Sequence, residues 1–309
     1  MIYKTTLSAK LYRFFVLVYG IFKMSRPAQL LAIILVYLYG SIVAWAHDAA
    51  INLNAFAFGL LVVLLISASI HLANEYADSE TDALTRRTPF SGGSGALQDL
   101  DLPPRAALIS AWLALLIGII LTVLGFTSGI FSLTAVMVLF AGAFMGWMYS
   151  LRPLALAWRG WGELDNALLG GVALPLYAYL VQSGELDPWV ILIFIPFGML
   201  VFVNLLATTW ADRDADEAVG KFTLATRWKP ARLRWVYLAV AVSTFVYLGI
   251  FNMHLYPQVV TLASLLVLPV LLWGFSAYTR QHSPFPTVAA MAIFLLIQIA
   301  AWGAVILWV

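Results

Sequence analysis

Nine long apolar stretches leave this chain few ways to fold. Read in a window of about 19 residues, they run over 27–46, 53–75, 105–126, 129–149, 163–182, 188–210, 231–251, 256–278 and 285–308. Each is long enough to cross the hydrocarbon core of a bilayer, which takes roughly 20 apolar residues as a helix. None alternates with period two, as a strand of an outer-membrane barrel does. Backbone N–H and C=O groups in lipid must bond within their own segment, so the stretches are predicted as helices. The expected fold class is all-α: a polytopic membrane protein with nine transmembrane helices. Charged residues make up 10% of the chain, against about 25% in a soluble domain. A soluble enzyme, a disordered chain and a nucleic-acid-binding module are excluded on that ground. The chain has no cysteine, which removes a disulfide framework, a thiolate metal site and a cysteine nucleophile.

The basic residues orient the spans. Lys4, Lys10, Arg13, Lys23 and Arg26 precede the first, and Arg86, Arg87 and Arg105 follow the second. Arg152 and Arg159 follow the fourth, a group from Arg213 to Arg234 follows the sixth, and Arg280 follows the eighth. All 17 Lys and Arg thus fall on one side, which the positive-inside rule makes cytoplasmic. The opposite side holds Asp48, Glu185, Asp187 and a few His. The N-terminus is expected in the cytoplasm and Val309 outside, in a plasma (inner) membrane. Residues 1–24 lack a signal-peptide cleavage site and read as an amphipathic interfacial helix at the start of a single domain, 1–309.

Two connections on the basic side are longer than turns require, and acidic. In the first, Asn74, Asp78 and Asp82 recur every four residues. On a helix continuing from the second span they share one face. Like charges at that spacing repel, and a divalent cation reverses the sign of that energy. Oxygen-only ligands suit Mg²⁺, which binds one or two carboxylates and fills its octahedron with water and phosphate oxygens. In the second, Asp212 and Asp216 repeat the step, with Asp214 and Glu217 beside them. Two such ladders on one side suggest one site clamped between two helices. The bland alternative is a pair of solvated, acidic helix ends.

Cations flank each ladder: Arg86 and Arg87 the first, Lys221 the second, with Arg152 and Arg159 in the connection after the fourth span. Carboxylates with metal, plus Arg and Lys, are suited to a diphosphate. Arg232 and Arg234 read as topology signals that meet lipid headgroups. The stretch T-P-F-S-G-G-S-G-A-L reads as a lid or a nest of backbone N–H groups, and it lacks the P-loop pattern. His71, one turn before Asn74, lines the cavity or is a hydrogen-bonded buried histidine. Most Trp, Tyr and Phe read as lipid-facing bulk, with some expected to face the cavity, where their π faces stabilise a cation.

With these residues in place, the chain resembles the UbiA superfamily of intramembrane prenyltransferases. N-E-Y-A-D-S-E-T-D matches that family's N-D-x-x-D-x-x-x-D signature, and D-R-D-A-D-E-A-V-G-K-F-T-L-A resembles its D-x-x-x-D followed by G-K-x-T-L-A. Y-S-L-R-P with R-G-W-G-E resembles the tyrosine–proline turn after span four, and Arg26-Pro27 also fits. Glu75 departs from the Asp the family more often has, and ranks below Asp78 as a metal-site candidate. The resemblance implies nine helices round a central cavity with a cytoplasmic cap. It implies transfer of a polyprenyl chain from its diphosphate to an acceptor, with membrane lipid as surroundings and no nucleic acid. Two Mg²⁺ ions would be held by Asn74, Asp78 and Asp82 and by Asp212 and Asp216. Asn74, His71, Lys221, Arg152, Arg86 and Arg87 are the expected substrate-binding groups, and Asp78, Asp82, Asp212, Asp216 and Tyr149 the catalytic ones. Tyr149, Asp165 and Glu163 are candidates to orient or deprotonate the acceptor.

N-E-Y-x-D and S-G-G-S-G look more like the menaquinone branch, with dihydroxynaphthoate as acceptor; D-R-D-A-D looks more like the hydroxybenzoate branch that leads to ubiquinone. Other readings are an enzyme of the same fold with a different acceptor, one that cyclises a prenyl diphosphate, and a cation-coupled transporter. Transport predicts mid-membrane carboxylates and interrupted spans, whereas the acids here cluster at span ends and the span middles read as uninterrupted. A reporter domain fused after Val309 should be accessible only from outside the cell; protection from external protease would break the nine-span topology.

Overall fold

The structure is a computed structural model and describes residues 2–308, with side chains described over 10–307; the side chain of Lys4 lies outside that range. Helix α1 (Ile2–Met24) precedes the spans. The first two spans are α2 (Pro27–Ala46) and α3 (Leu53–Ala77), followed by the short α4 (Ser79–Leu84) and α5 (Ala96–Asp99). Next come α6 (Pro104–Thr127) and α7 (Leu133–Ser150). The fifth span is α8 (Gly162–Leu168) and α9 (Leu174–Ser183), joined by a π turn over Leu169–Ala173. Then follow α10 (Pro188–Ala218), the short α11 (Leu224–Arg227) and α12 (Pro230–Ile250). The eighth span is α13 (Gln258–Ser264) and α14 (Leu268–Ala277), joined by a 3₁₀ turn over Leu265–Val267, and α15 (Phe285–Trp308) is the last. The described residues thus hold nine helical segments long and apolar enough to cross a membrane, where the apolar stretches placed them.

Local chemistry sets the ends. Pro27, Pro104, Pro188 and Pro230 open their helices, where a missing N–H costs nothing. Asn52, Ser132 and Asp187 cap α3, α7 and α10 by accepting from the N–H groups of Ala55, Ala135 and Trp189. Two spans are interrupted, contrary to the sequence expectation. Pro175 and Pro269 lie at the first turns of α9 and α14. Each lacks the N–H that would bond back one turn, so the ladder widens into a π turn before one and tightens into a 3₁₀ turn before the other. α10 runs past the expected end at residue 210 and carries the second acidic ladder in an unbroken helix to Ala218.

Lipid supplies no hydrophobic force between helices, so close backbone approach has to. A Cβ on Gly40 of α2 would run into the backbone of Pro175, and one on Gly171 into Gly198 of α10. These contacts lock α2 to α9 and the π turn to α10. α10 packs on α8, α12 and α15 and is the most buried span. Outward faces present large apolar groups such as Ile109, Trp112 and Leu116 of α6 and Trp235 and Val246 of α12. α1 exposes Leu11, Phe14 and Phe15 together with Lys10 and Arg13. Inside, the spans enclose a cavity of about 450 Å³ whose wall comes chiefly from α2, α3, α7, α8 and α10. Gly40→Ala should lower the unfolding free energy of the detergent-solubilised protein by about 1–3 kcal/mol, read as a lower Tm. Gly303→Ala, whose Cβ meets nothing, should leave Tm unchanged or raised.

Candidate active site

The first ladder sits where α3 ends. Asp78 terminates α3 and α4 begins at Ser79, yet the four-residue rhythm survives. The N–H of Asp78 donates to the Asn74 carbonyl and that of Asp82 to the Asp78 carbonyl, both at 2.8 Å. Asn74, Asp78 and Asp82 therefore all reach the cavity. The Asn74 amide orients the row: its Nδ2 donates to Asp78 Oδ2 at 2.8 Å and to Ser150 Oγ at 2.9 Å. Its Oδ1 accepts from Arg26 Nη2 at 2.8 Å.

The second ladder comes to the same cavity from α10. Asp212 and Asp216 line it, and Asp216 is only 3% exposed. Asp214 and Glu217 lie on the outer face of the helix, with the Asp214 side chain 83% exposed. Past the end of α10 the chain turns at Gly220, and Lys221 points back inward. Lys221 Nζ lies 3.2 Å from Asp78 Oδ2 and 3.5 Å from Asp216 Oδ1. One ammonium thus joins the two rows across the gap. Burial pulls its pKa down, but the carboxylates of Asp78 and Asp216 outweigh that and hold it above the ordinary lysine value. Asp82 has no cation so close. Burial, then the neighbouring Asp78, push its pKa up to about 7.

The Gly-rich stretch forms a roof over the first ladder. Thr88 and Ser91 close a turn with a single bridge. Gly93 takes φ 67°, and a Cβ there would strike the Asp82 carboxylate. Ser94 fastens the roof: its N–H donates to Glu75 Oε1 at 2.8 Å and its hydroxyl to Oε2 at 2.6 Å. Arg26 grips the same Oε1 through Nε at 2.9 Å and Nη2 at 2.7 Å. Glu75 is 2% exposed with both oxygens engaged. The roof is a tethered loop, and Asp212 lies beside its Ser91 and the Gly92 N–H.

Of the residues singled out in the sequence, Asn74, Asp78, Asp82, Asp212, Asp216, Lys221, Tyr149 and His71 border this cavity. His71 also ties down the turn before α2, with Nδ1 2.9 Å from the Ser25 carbonyl. Glu163 borders it too and accepts from the Leu224 N–H at 2.9 Å, whereas Asp165 is buried outside the lining. Arg86, Arg87 and Arg152 are not brought to the cavity. All three are solvent-exposed, and Arg87 pairs with Asp99 at 3.0 Å, which Lys23 also holds. Proximity in sequence to the first ladder put Arg86 and Arg87 forward, and the place beside Tyr149 and before Pro153 put Arg152 forward; all three lie on the outer surface. Arg26 is the reverse case. It reads as one of several topology charges, yet it lines the cavity. Its place immediately before Pro27, beyond the last basic cluster of α1, was the available signal.

The model of the UbiA prenyltransferase family matches residues 33–297. The chain belongs to that family. Among curated UbiA relatives, the 1,4-dihydroxy-2-naphthoate octaprenyltransferase of Bacillus subtilis (strain 168) is 27% identical over 209 residues, covering 66% of this chain and 64% of the relative. The enzyme of the same name from Mycobacterium leprae (strain TN) is 26% identical over 204 residues, 65% of this chain and 66% of the relative. The match thus spans just under two thirds of those relatives' length. Among solved structures, a UbiA homologue from Archaeoglobus fulgidus bound to GPP and Mg²⁺ superposes with a TM-score of 0.71 at 18% identity, covering 93% of this chain and 99% of that one. A homologue from Aeropyrum pernix K1 gives 0.66 at 13% identity, covering 89% and 97%. These superpositions establish the shared fold.

The UbiA cavity offers hard oxygen donors. Oδ1 of Asp78 and Asp212 are buried without a hydrogen-bond partner, and Asp216 Oδ1 has only the Lys221 ammonium at 3.5 Å, a state that costs free energy unless a further cation or donor is supplied. Among the described residues no three acidic or imidazole groups converge on one point; Lys221 stands between the two rows. The donor set fits a divalent cation of the Mg²⁺ type. Lys221→Met should leave Asp78 and Asp216 unpaired in a confined space and cost about 3 kcal/mol, measured as a fall in Tm in the presence of chelator. An unchanged Tm would mean that the ammonium does not hold the rows together.

Proposed function

We propose that this protein transfers a prenyl chain from its diphosphate to an aromatic acceptor of a quinone pathway, in a divalent-cation-dependent reaction. One observation carries the reading: two carboxylate rows from separate helices meet across one cavity, with unpartnered oxygens and a lysine between them. The solved homologue that holds GPP and Mg²⁺ in this fold supports the substrate class. The names of both curated relatives favour a dihydroxynaphthoate acceptor over a hydroxybenzoate. The placement of all Lys and Arg on one side supports an active site that faces the cytoplasm from the plasma membrane.

Asp78, Asp82, Asp212 and Asp216 are the residues that would hold the cation, with Asn74 orienting Asp78. Bound there, Mg²⁺ supplies charge neutralisation for a diphosphate and for the negative charge that grows on it as it leaves. Lys221 brings its own positive charge to the same gap and binds a diphosphate oxygen directly. Arg26, held by Glu75, keeps a second cation at the cavity wall. As the allylic C–O bond breaks, its electron pair stays on the diphosphate. An electron-rich ring carbon of the acceptor forms the new C–C bond, and a ring proton is released. Below the acidic rows the lining turns apolar, with Val63, Val201, Phe197 and Leu174. That region houses the hydrocarbon chain and keeps water from the allylic centre. Tyr149 stands at the boundary, next to Gly162 and beside Lys221, where its ring faces developing positive charge.

Asp78→Ala and Asp212→Ala should each reduce prenyl transfer by about 10³-fold or more while the protein stays monodisperse in detergent. Chelation should abolish turnover, and Mg²⁺ should restore it. Near-normal activity in both variants, or activity in chelator, would overturn the assignment; product identity from a mixed pool of naphthoate and benzoate acceptors decides the branch.

A further inference from the structure

Deeper in the cavity the α10 face keeps its four-residue rhythm but changes chemistry. Below Asp216 and Asp212 come Thr208 and Asn204, and all four border the cavity. At 1.5 Å per residue, Thr208 lies about 6 Å and Asn204 about 12 Å below Asp212. Asn166 of α8 borders the same space. Between the charged upper part and the apolar floor there is therefore a band of neutral polar groups. A hydrocarbon chain offers such a band nothing.

The band's hydrogen-bonding capacity is specific. Asn204 Oδ1 is buried and has no hydrogen-bond partner among the described residues. Thr208 donates its hydroxyl proton to the Leu205 carbonyl at 3.1 Å, so towards the cavity its oxygen acts as an acceptor. The Asn204 amide also carries N–H donors on Nδ2, but its buried Oδ1 and the Thr208 oxygen, one turn apart, are acceptors that only a donor satisfies. A metal-bound diphosphate, with only acceptor oxygens, cannot satisfy those two atoms, and a prenyl chain has neither donors nor acceptors. A phenolic O–H is the one group of the proposed substrates that donates.

We propose that Asn204, supported by Thr208, is the specificity-determining residue that accepts a hydrogen bond from a hydroxyl of the aromatic acceptor. The assignment rests on the prenyl-transfer reading. Asn204 orients the ring so that the carbon beside the hydroxyl faces the allylic carbon held under the acidic rows. It neither binds the diphosphate nor moves a proton.

The test is steady-state kinetics of the purified full-length protein with Mg²⁺, geranyl diphosphate and a dihydroxynaphthoate, then with the singly O-methylated acceptors. Asn204→Leu should lower kcat/KM for the diol about tenfold or more and leave KM for geranyl diphosphate within about twofold. Wild type should discriminate against one O-methyl acceptor by a similar factor, and Asn204→Leu should lose that discrimination. Asn204→Asp, which keeps an acceptor oxygen, should recover part of the diol activity. Should Asn204→Leu fail to fold, Asn204→Ala and Thr208→Val carry the same comparison. Equal discrimination in wild type and variants, or a change confined to geranyl diphosphate, overturns the Asn204 assignment and leaves prenyl transfer standing. A wild type that turns over a prenyl diphosphate with no aromatic acceptor overturns both.

Discussion

Mutual repulsion between buried carboxylates is the constraint around which this molecule is arranged. Four aspartates face one confined space, which cations, or a proton on one carboxylate, make tolerable. Lys221 meets Asp78 and Asp216 at once, so the end of the second span and the end of the sixth are held at a fixed separation. The chain reaches that geometry through local means. α10 overshoots its membrane segment to project Asp212 and Asp216, and a Gly220 turn with φ 73° returns the lysine to the gap. Glu163 then fixes the loop from below through the Leu224 N–H.

The membrane simplifies the rest. Because unpaired backbone polar groups are intolerable in lipid, the architecture reduces to how nine helical segments pack. Close approaches at Gly40 and Gly171 settle part of it. The polar groups that remain inside differ in whether they find partners. Gln182, bonded to Trp45 and Asn52, and Gln298, bonded to Ser264, find partners within the bundle and serve packing. Oδ1 of Asp78, Asp212 and Asn204 do not, and these three residues border the cavity. At the cavity such atoms are open to a ligand, whereas others, on Asp165, Asn252, Thr261, Tyr278 and Trp302, lie away from its lining.

Much of this was legible in the sequence because the signals are physical necessities. The spans follow from hydropathy, and the ladders from a four-residue step that puts acids on one helix face. The sequence does not say which acids turn inward: Asp214 and Glu217 share a segment with Asp212 and Asp216, and only their rotation about the axis of α10 separates them. Nor does it separate a topology charge from a site charge. Arg26 and Arg87 both look like positive-inside residues; one lines the cavity and the other pairs with Asp99 at the surface. The π and 3₁₀ interruptions hinge on Pro175 and Pro269, whose hydropathy is unremarkable in a window average but whose missing N–H groups are not.

Glu75 has a role unlike that of the aspartates around it. A carboxylate clasped by a guanidinium on one side and a serine on the other acts as a strut. Its length sets how far the Ser94 loop stands off the second span. An aspartate in the same position is shorter by one carbon–carbon bond and would draw loop and arginine inward together. Choosing the longer acid thus fixes the headroom over the polar end of the chamber, and with it the bulk of what can pass beneath.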